Sequence, residues 1–138
     1  MTHVPTIALT LAAAAVLVNL WLSVRIGQLR ISNKVSHGDG GNALLARRIR
    51  AQLNFAENVP LLVVLVALLE LSGANRMVLV ALSIVLLLAR IGHGFGMDAD
   101  TGSAGRKYGV LGTMLVSLLL VALAVLTAYG VELPGLSR

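Results

Sequence analysis

A chain of 138 residues that is 57% hydrophobic and 12% charged, with a mean hydropathy of +0.89, is too apolar for a soluble domain of its size and reads as an integral membrane protein. Its formal charge of +5 does not indicate nucleic acid, because aromatic residues are only 4% and the basic residues gather at the ends of apolar segments, where orientation in a bilayer accounts for them. The absence of cysteine excludes disulfides, thiolate metal sites and a cysteine nucleophile within the chain.

A bilayer core of about 30 Å calls for about 20 helical residues, and four stretches meet that requirement. The predicted architecture is an all-α, integral membrane four-helix bundle. It forms a single membrane domain over 1–138, with helices at about 6–26, 44–72, 76–95 and 107–130. The first stretch begins just after Pro5, a residue suited to a helix start, and carries Trp21 near its far end, where interfacial aromatics belong. Met1-Thr2-His3-Val4-Pro5 has no basic region and no small-residue cleavage site follows, so this stretch is expected to span the membrane rather than be removed as a signal peptide. A basic connection follows, holding Arg25, Arg30, Lys34, Arg47, Arg48 and Arg50, with a turn at His37-Gly38-Asp39-Gly40-Gly41-Asn42.

The second helix is unusual. Its strictly apolar part, Val59 to Leu69, is 11 residues long, which spans only about half of the bilayer core. The run from Arg47 to Pro60 keeps helical periodicity while packing charged and polar groups together, so part of that polar face is expected within or at the edge of the membrane. At 100° per residue, Arg50, Asn54 and Glu57 share a narrow arc. Pro60 lacks an N–H, which makes a bend near Glu57 an expectation. Gly73 within Ser72-Gly73-Ala74-Asn75 is the expected C-cap.

The third helix is apolar until Arg90 and His93, spaced i and i+3 on one face, and gives way to a loop rich in Gly and Asp from Gly94 to Gly105. Arg106 and Lys107 then precede the fourth helix, and a short tail, 131–138, follows it. The connections after the first and third helices, counting Arg90, hold nine of the 11 basic residues, against Arg76 and Arg138 on the opposite side. Those two connections are therefore expected on the cytoplasmic side of the cell (inner) membrane, with both termini outside. Such a topology gathers Arg30, Arg50, Asn54, Glu57, Arg90, His93 and Arg106 into one zone.

In that zone Arg30, Arg50, Arg90 and Arg106 outnumber the single acid Glu57, which calls for an anionic ligand or lipid headgroups. A bland alternative has Arg50, Glu57 and Arg90 pairing among themselves to tie the bundle together. His93 by itself is weak evidence, since a helix-end imidazole is more often a hydrogen-bonding or interface residue than a base. Asp98 and Asp100 read as residues that solvate a loop, Arg47 and Arg48 as orientation and headgroup residues, and Tyr108 and Tyr129 as interfacial anchors, Tyr108 also being placed to donate a hydrogen bond near Arg106. No metal site is expected: His3, His37 and His93 lie in three separate parts of the chain.

The stretch Arg50-Ala51-Gln52-Leu53-Asn54-Phe55-Ala56-Glu57-Asn58-Val59-Pro60 resembles the second-helix signature of the membrane-associated proteins in eicosanoid and glutathione metabolism, the MAPEG family, in which Arg-Ala, two residues, Asn, two residues and Glu are followed shortly by Pro. Gly27-Gln28-Leu29-Arg30 is similar to the end of that family's first helix, and Arg90 with Arg106 to the basic pair around its third loop. The resemblance runs from about Thr6 to Tyr129. It implies a homotrimer with glutathione, as co-substrate, held between subunits near the cytoplasmic side. Arg30, Arg50, Asn54, Glu57, Arg90 and His93 would then bind glutathione, and Arg106 would be the catalytic group facing the sulfur. Met97 and Val110 stand where several eicosanoid-synthesising members have tyrosine, so the chain looks more like a bacterial-type member related to microsomal glutathione transferases.

The expected function is accordingly a glutathione-dependent membrane transferase or peroxidase acting on lipophilic electrophiles or lipid hydroperoxides, its partners being glutathione, a lipophilic small molecule and membrane lipids. A cation near a thiol favours the attacking thiolate, which suits Arg106 to that role. Two alternatives stay open: a non-catalytic lipid- or glutathione-binding membrane protein, and a small proton-coupled transporter working through Glu57.

Overall fold

The computed structural model describes residues 4–131, so His3, Arg138 and the tail beyond Val131 lie outside the described residues. Four helices alternate in direction: α1 (Thr6–Asn33), α2 (Ala43–Leu71), α3 (Arg76–Gly96) and α4 (Ala104–Ala128). Each is long and apolar enough to cross a membrane. All four predicted helices are present, with one large difference in extent. α1 continues to Asn33 instead of stopping near residue 26, because nothing in Ile26 to Asn33 breaks a helix until Lys34 takes a left-handed conformation at φ 53°. Twenty residues cover a bilayer core of about 30 Å, so a membrane that α1 enters at Thr6 is left near Arg25, and the last two turns project from it.

The helix ends follow local chemistry. Asn42, Asn75 and Ser103 cap α2, α3 and α4, each accepting a hydrogen bond from a backbone N–H of the first turn. Gly73 has φ +81° beyond the end of α2, as expected of the residue closing that helix; its N–H donates to the Glu70 carbonyl and that of Ala74 to the Leu69 carbonyl. α2 passes through Pro60 as one helix.

Apolar stripes at helical spacing form the interior: Ile7, Leu11, Ala15, Val18 and Leu22 on α1, and Phe55, Val59, Leu62, Val66 and Leu69 on α2. α3 adds Leu79 and Leu86, and α4 adds Val116 and Leu120. Every pair of helices meets except α1 with α4, which therefore occupy opposite corners with α2 and α3 between them. α3 and α4 approach most closely, through Gly96 on α3 and through Gly105 and Gly109, four apart, on α4. A Cβ on Gly109 would lie 2.6 Å from that of His93, and one on Gly105 would lie 2.6 Å from the Gly92 carbonyl oxygen. Met97 is buried with Phe55, Val59, Leu22 and Trp21, so at this position the chain uses its side chain for packing.

Candidate functional site: an arginine-rich zone at one end of the bundle

The end of α1, the start of α2, the end of α3 and the start of α4 meet at one end of the molecule, as the basic connections require. Arg90 is the deepest cation there. It is 2% exposed, and its guanidinium donates to Asn54 Oδ1 at 2.6 Å and to the Gly109 carbonyl at 3.3 Å. One side chain thus links α2, α3 and α4. A carbonyl of an already paired helix is reachable because Gly109 has no side chain to hold α4 away from α3. Arg90 Nε and His93 Nδ1 are buried and have no partner among the described residues. His93 packs directly on the start of α4, where a Cβ on Gly109 would meet its own Cβ at 2.6 Å.

On α2, Arg50 Nη1 lies 3.5 Å from Glu57 Oε1, and both side chains are more than half exposed, at 62% and 53%. Asn54, between them in the helical turn, faces Arg90 instead. The three residues on the shared arc are therefore divided: one contacts the bundle interior, and two present opposite charges on its outer surface. Arg106 is exposed at the start of α4, its backbone N–H capped by Ser103. Arg30 stands apart in the projecting part of α1, where it donates to the Ser36 carbonyl at 3.1 Å. The single chain thus brings Arg90, Asn54, His93 and Arg106 together, pairs Arg50 with Glu57 beside them, and leaves Arg30 bound to its own loop.

Two expectations need correction. Asp98 is not a loop-solvating residue. Its carboxylate receives Arg25, and receives Arg48 through Nε at 2.9 Å and Nη2 at 3.1 Å, while Arg47 donates to its carbonyl at 3.3 Å. Arg47 also pairs with Asp100 at 2.6 Å. Arg47 and Arg48, expected only as orientation and headgroup residues, thus also join Arg25 in clamping the loop between α3 and α4 onto α1 and α2. The reason is charge neutralisation: several guanidiniums at one end of a bundle repel one another unless an acid is placed among them. Arg25 is further held over the rings of Trp21 and Phe95, at 4.6 and 5.5 Å from their centroids. Burial alone would raise the Asp98 carboxyl pKa, but the hydrogen bonds from Arg48 and the charges of Arg25 and Arg48 outweigh it and hold the value below the ordinary one.

Glu70 is the polar residue that sequence reasoning missed. It sits at the opposite end of the bundle, its side chain 1% exposed, and accepts from the N–H groups of Ile7 at 3.0 Å and Ala8 at 2.9 Å. α1 has no capping side chain of its own at Pro5, so a carboxylate from α2 caps it across space, with Arg76 at 3.2 Å completing the cluster. The available signal was an acid in the last turn of an apolar helix, where the helix dipole disfavours it, six residues before an arginine. Among the described residues no group of three metal-ligating side chains occurs.

Four apolar spans enclosing a buried, hydrogen-bonded arginine beside an exposed acid–base pair define a multi-pass membrane protein with a polar site at one membrane face. The sequence matches the model of the MAPEG family over residues 8–126, and the chain belongs to that family. It is similar to Inner membrane protein YecN of Escherichia coli strain K12, 31% identical over 110 residues, covering 80% of this chain and 83% of the relative. YecN of Escherichia coli O6:H1 strain CFT073 matches to the same extent.

Proposed function

We propose that the protein is a glutathione-dependent transferase or peroxidase of the inner membrane, acting on lipophilic electrophiles or lipid hydroperoxides as a homotrimer. The observation that carries this reading is the exposed Arg50–Glu57 pair beside Asn54 and Arg90, in a chain of the MAPEG family. Glutathione carries two carboxylates, an ammonium and a thiol, and the donor set fits it: Arg50 faces a carboxylate, Glu57 the α-amino group, and Arg106 the sulfur. The unpaired Arg90 Nε and His93 Nδ1 supply further hydrogen-bonding capacity behind Asn54. A neighbouring subunit would cover the exposed face of α2 and bring its own Arg30 toward the site.

Arg106 favours loss of the thiol proton, and the thiolate then attacks the electrophilic carbon, forming a carbon–sulfur bond as the leaving group departs with the bonding pair. Toward a hydroperoxide, two glutathione molecules give one disulfide, the alcohol and water. The inner-membrane assignment follows the relatives, whose names place them there.

Titrating glutathione while following thermal unfolding of the detergent-solubilised protein, in wild type and Arg50→Ala, tests the binding step. The expected result is a concentration-dependent rise in the wild-type midpoint that Arg50→Ala loses. Thiolate absorbance in the ultraviolet and conjugation of a reactive aryl halide test the chemistry, and both are expected to fall in Arg106→Ala. Glutathione stabilisation with neither signal in wild type would establish the non-catalytic binding reading.

A further inference from the structure

A groove between α1 and α3 lies at the Glu70 end of the bundle, away from the arginine zone, and the proposed thiol chemistry makes no use of it. Its volume is about 360 Å³, and Leu11, Val80 and Leu87 supply apolar walls beneath a rim of Thr6 and Arg76. Ser83 also lines it. Serine and threonine side chains elsewhere in these helices bond back to the carbonyl four residues earlier, as Ser23, Thr113, Ser117 and Thr127 do. Ser83 Oγ does not: it is buried and has no hydrogen-bond partner among the described residues, while the groove that Ser83 helps to line is open to an occupant from outside.

The surroundings identify that occupant. The groove runs along helices that cross the membrane, so lipid is the medium it opens to. Leu87 lies 11 positions beyond Arg76, about 16 Å along the helix, or roughly one leaflet of a 30 Å core. At the rim the Glu70 carboxylate is turned inward at 1% exposure, whereas Arg76, which holds it, is 58% exposed. What faces outward is a guanidinium with donors beyond those given to Glu70 and Thr6, and guanidinium matches phosphate geometry. We infer that this groove is a binding site for an anionic phospholipid of that leaflet, with its phosphate on the outer side of Arg76 and one acyl chain laid along α1 and α3 past Ser83.

Native mass spectrometry of the full chain, with phosphatidylglycerol or phosphatidylcholine titrated into detergent, tests the site. Wild type is expected to retain one phosphatidylglycerol per chain in preference to phosphatidylcholine. Ser83→Leu fills the groove and should weaken retention about tenfold, equivalent to about 1.4 kcal/mol, while Arg76→Gln should bind both lipids alike. Equal phosphatidylglycerol retention by wild type and Ser83→Leu overturns the proposal. Wild-type protein provides a second measurement that needs no variant to fold. Phosphatidylglycerol with a diazirine midway along one chain should cross-link to residues 6–11 and 80–87, and cross-linking confined to other segments overturns the site as well.

Discussion

Single residues at the two ends of this bundle solve the same problem in opposite ways. At one end an excess of guanidiniums is gathered around one carboxylate, Asp98; at the other, one carboxylate, Glu70, is gathered in by two backbone N–H groups and Arg76. Removing either acid leaves buried donors without partners, which costs about 1–3 kcal/mol. Glu70→Ala is therefore expected to lower stability by that amount, read as a reduced thermal midpoint in detergent, and an unchanged midpoint would rule out its capping role. Asp98→Asn should cost less, because about a third of the Asp98 side chain is exposed and solvent screens its pairs. The sign of its pH dependence follows from the lowered pKa. Asp98 contributes fully above its unfolded value and loses that contribution as pH falls through the lower folded value. Acid titration of unfolding should show a steeper loss of stability below about pH 4 in wild type than in Asp98→Asn.

At the scale of helices, the pairing of α3 with α4 controls where Arg90 and His93 sit. Gly109→Ala is expected to force the two helices apart, with a loss of about 1–3 kcal/mol from overpacking and a weaker glutathione-induced shift in the same melting assay. Gly27 offers the contrast: a Cβ there meets nothing within 4 Å, and it lies inside α1. Gly27→Ala should be neutral or stabilising by about 0.5–1 kcal/mol, from helix propensity alone. If both substitutions had the same effect, close contact between α3 and α4 would not be what holds the site.

For the whole molecule, the prediction concerns which end faces the cytoplasm. The distribution of basic residues makes the Asp98 end the one expected there. Because the chain has no cysteine, single-cysteine variants give a clean readout. An impermeant maleimide applied to intact cells with a permeable outer membrane should label Ser72→Cys, in the α2–α3 turn, and should label Ser36→Cys, in the α1–α2 loop, only after the inner membrane is opened. The reverse pattern would place the arginine zone outside.

Helix number and membrane class were determined by the sequence alone, because hydropathy over about 20 residues is a local property that no partner can change. The convergence of the basic connections at one end followed from the alternation of four spans, and the polar face of α2 followed from helical periodicity. Tertiary structure decided the partners. Nothing local indicates that Asn54 reaches across to Arg90 while Arg50 and Glu57 face outward, that Asp98 holds Arg25 and Arg48 from two other helices, or that a carboxylate near residue 70 caps a helix starting at residue 6. Those bonds join residues 36 to 73 positions apart, or 62 in the case of the cap, and depend on how closely glycine-lined helices approach. Charge on a residue is set by its chemistry; what that charge meets in a low-dielectric interior is set only when the helices pack.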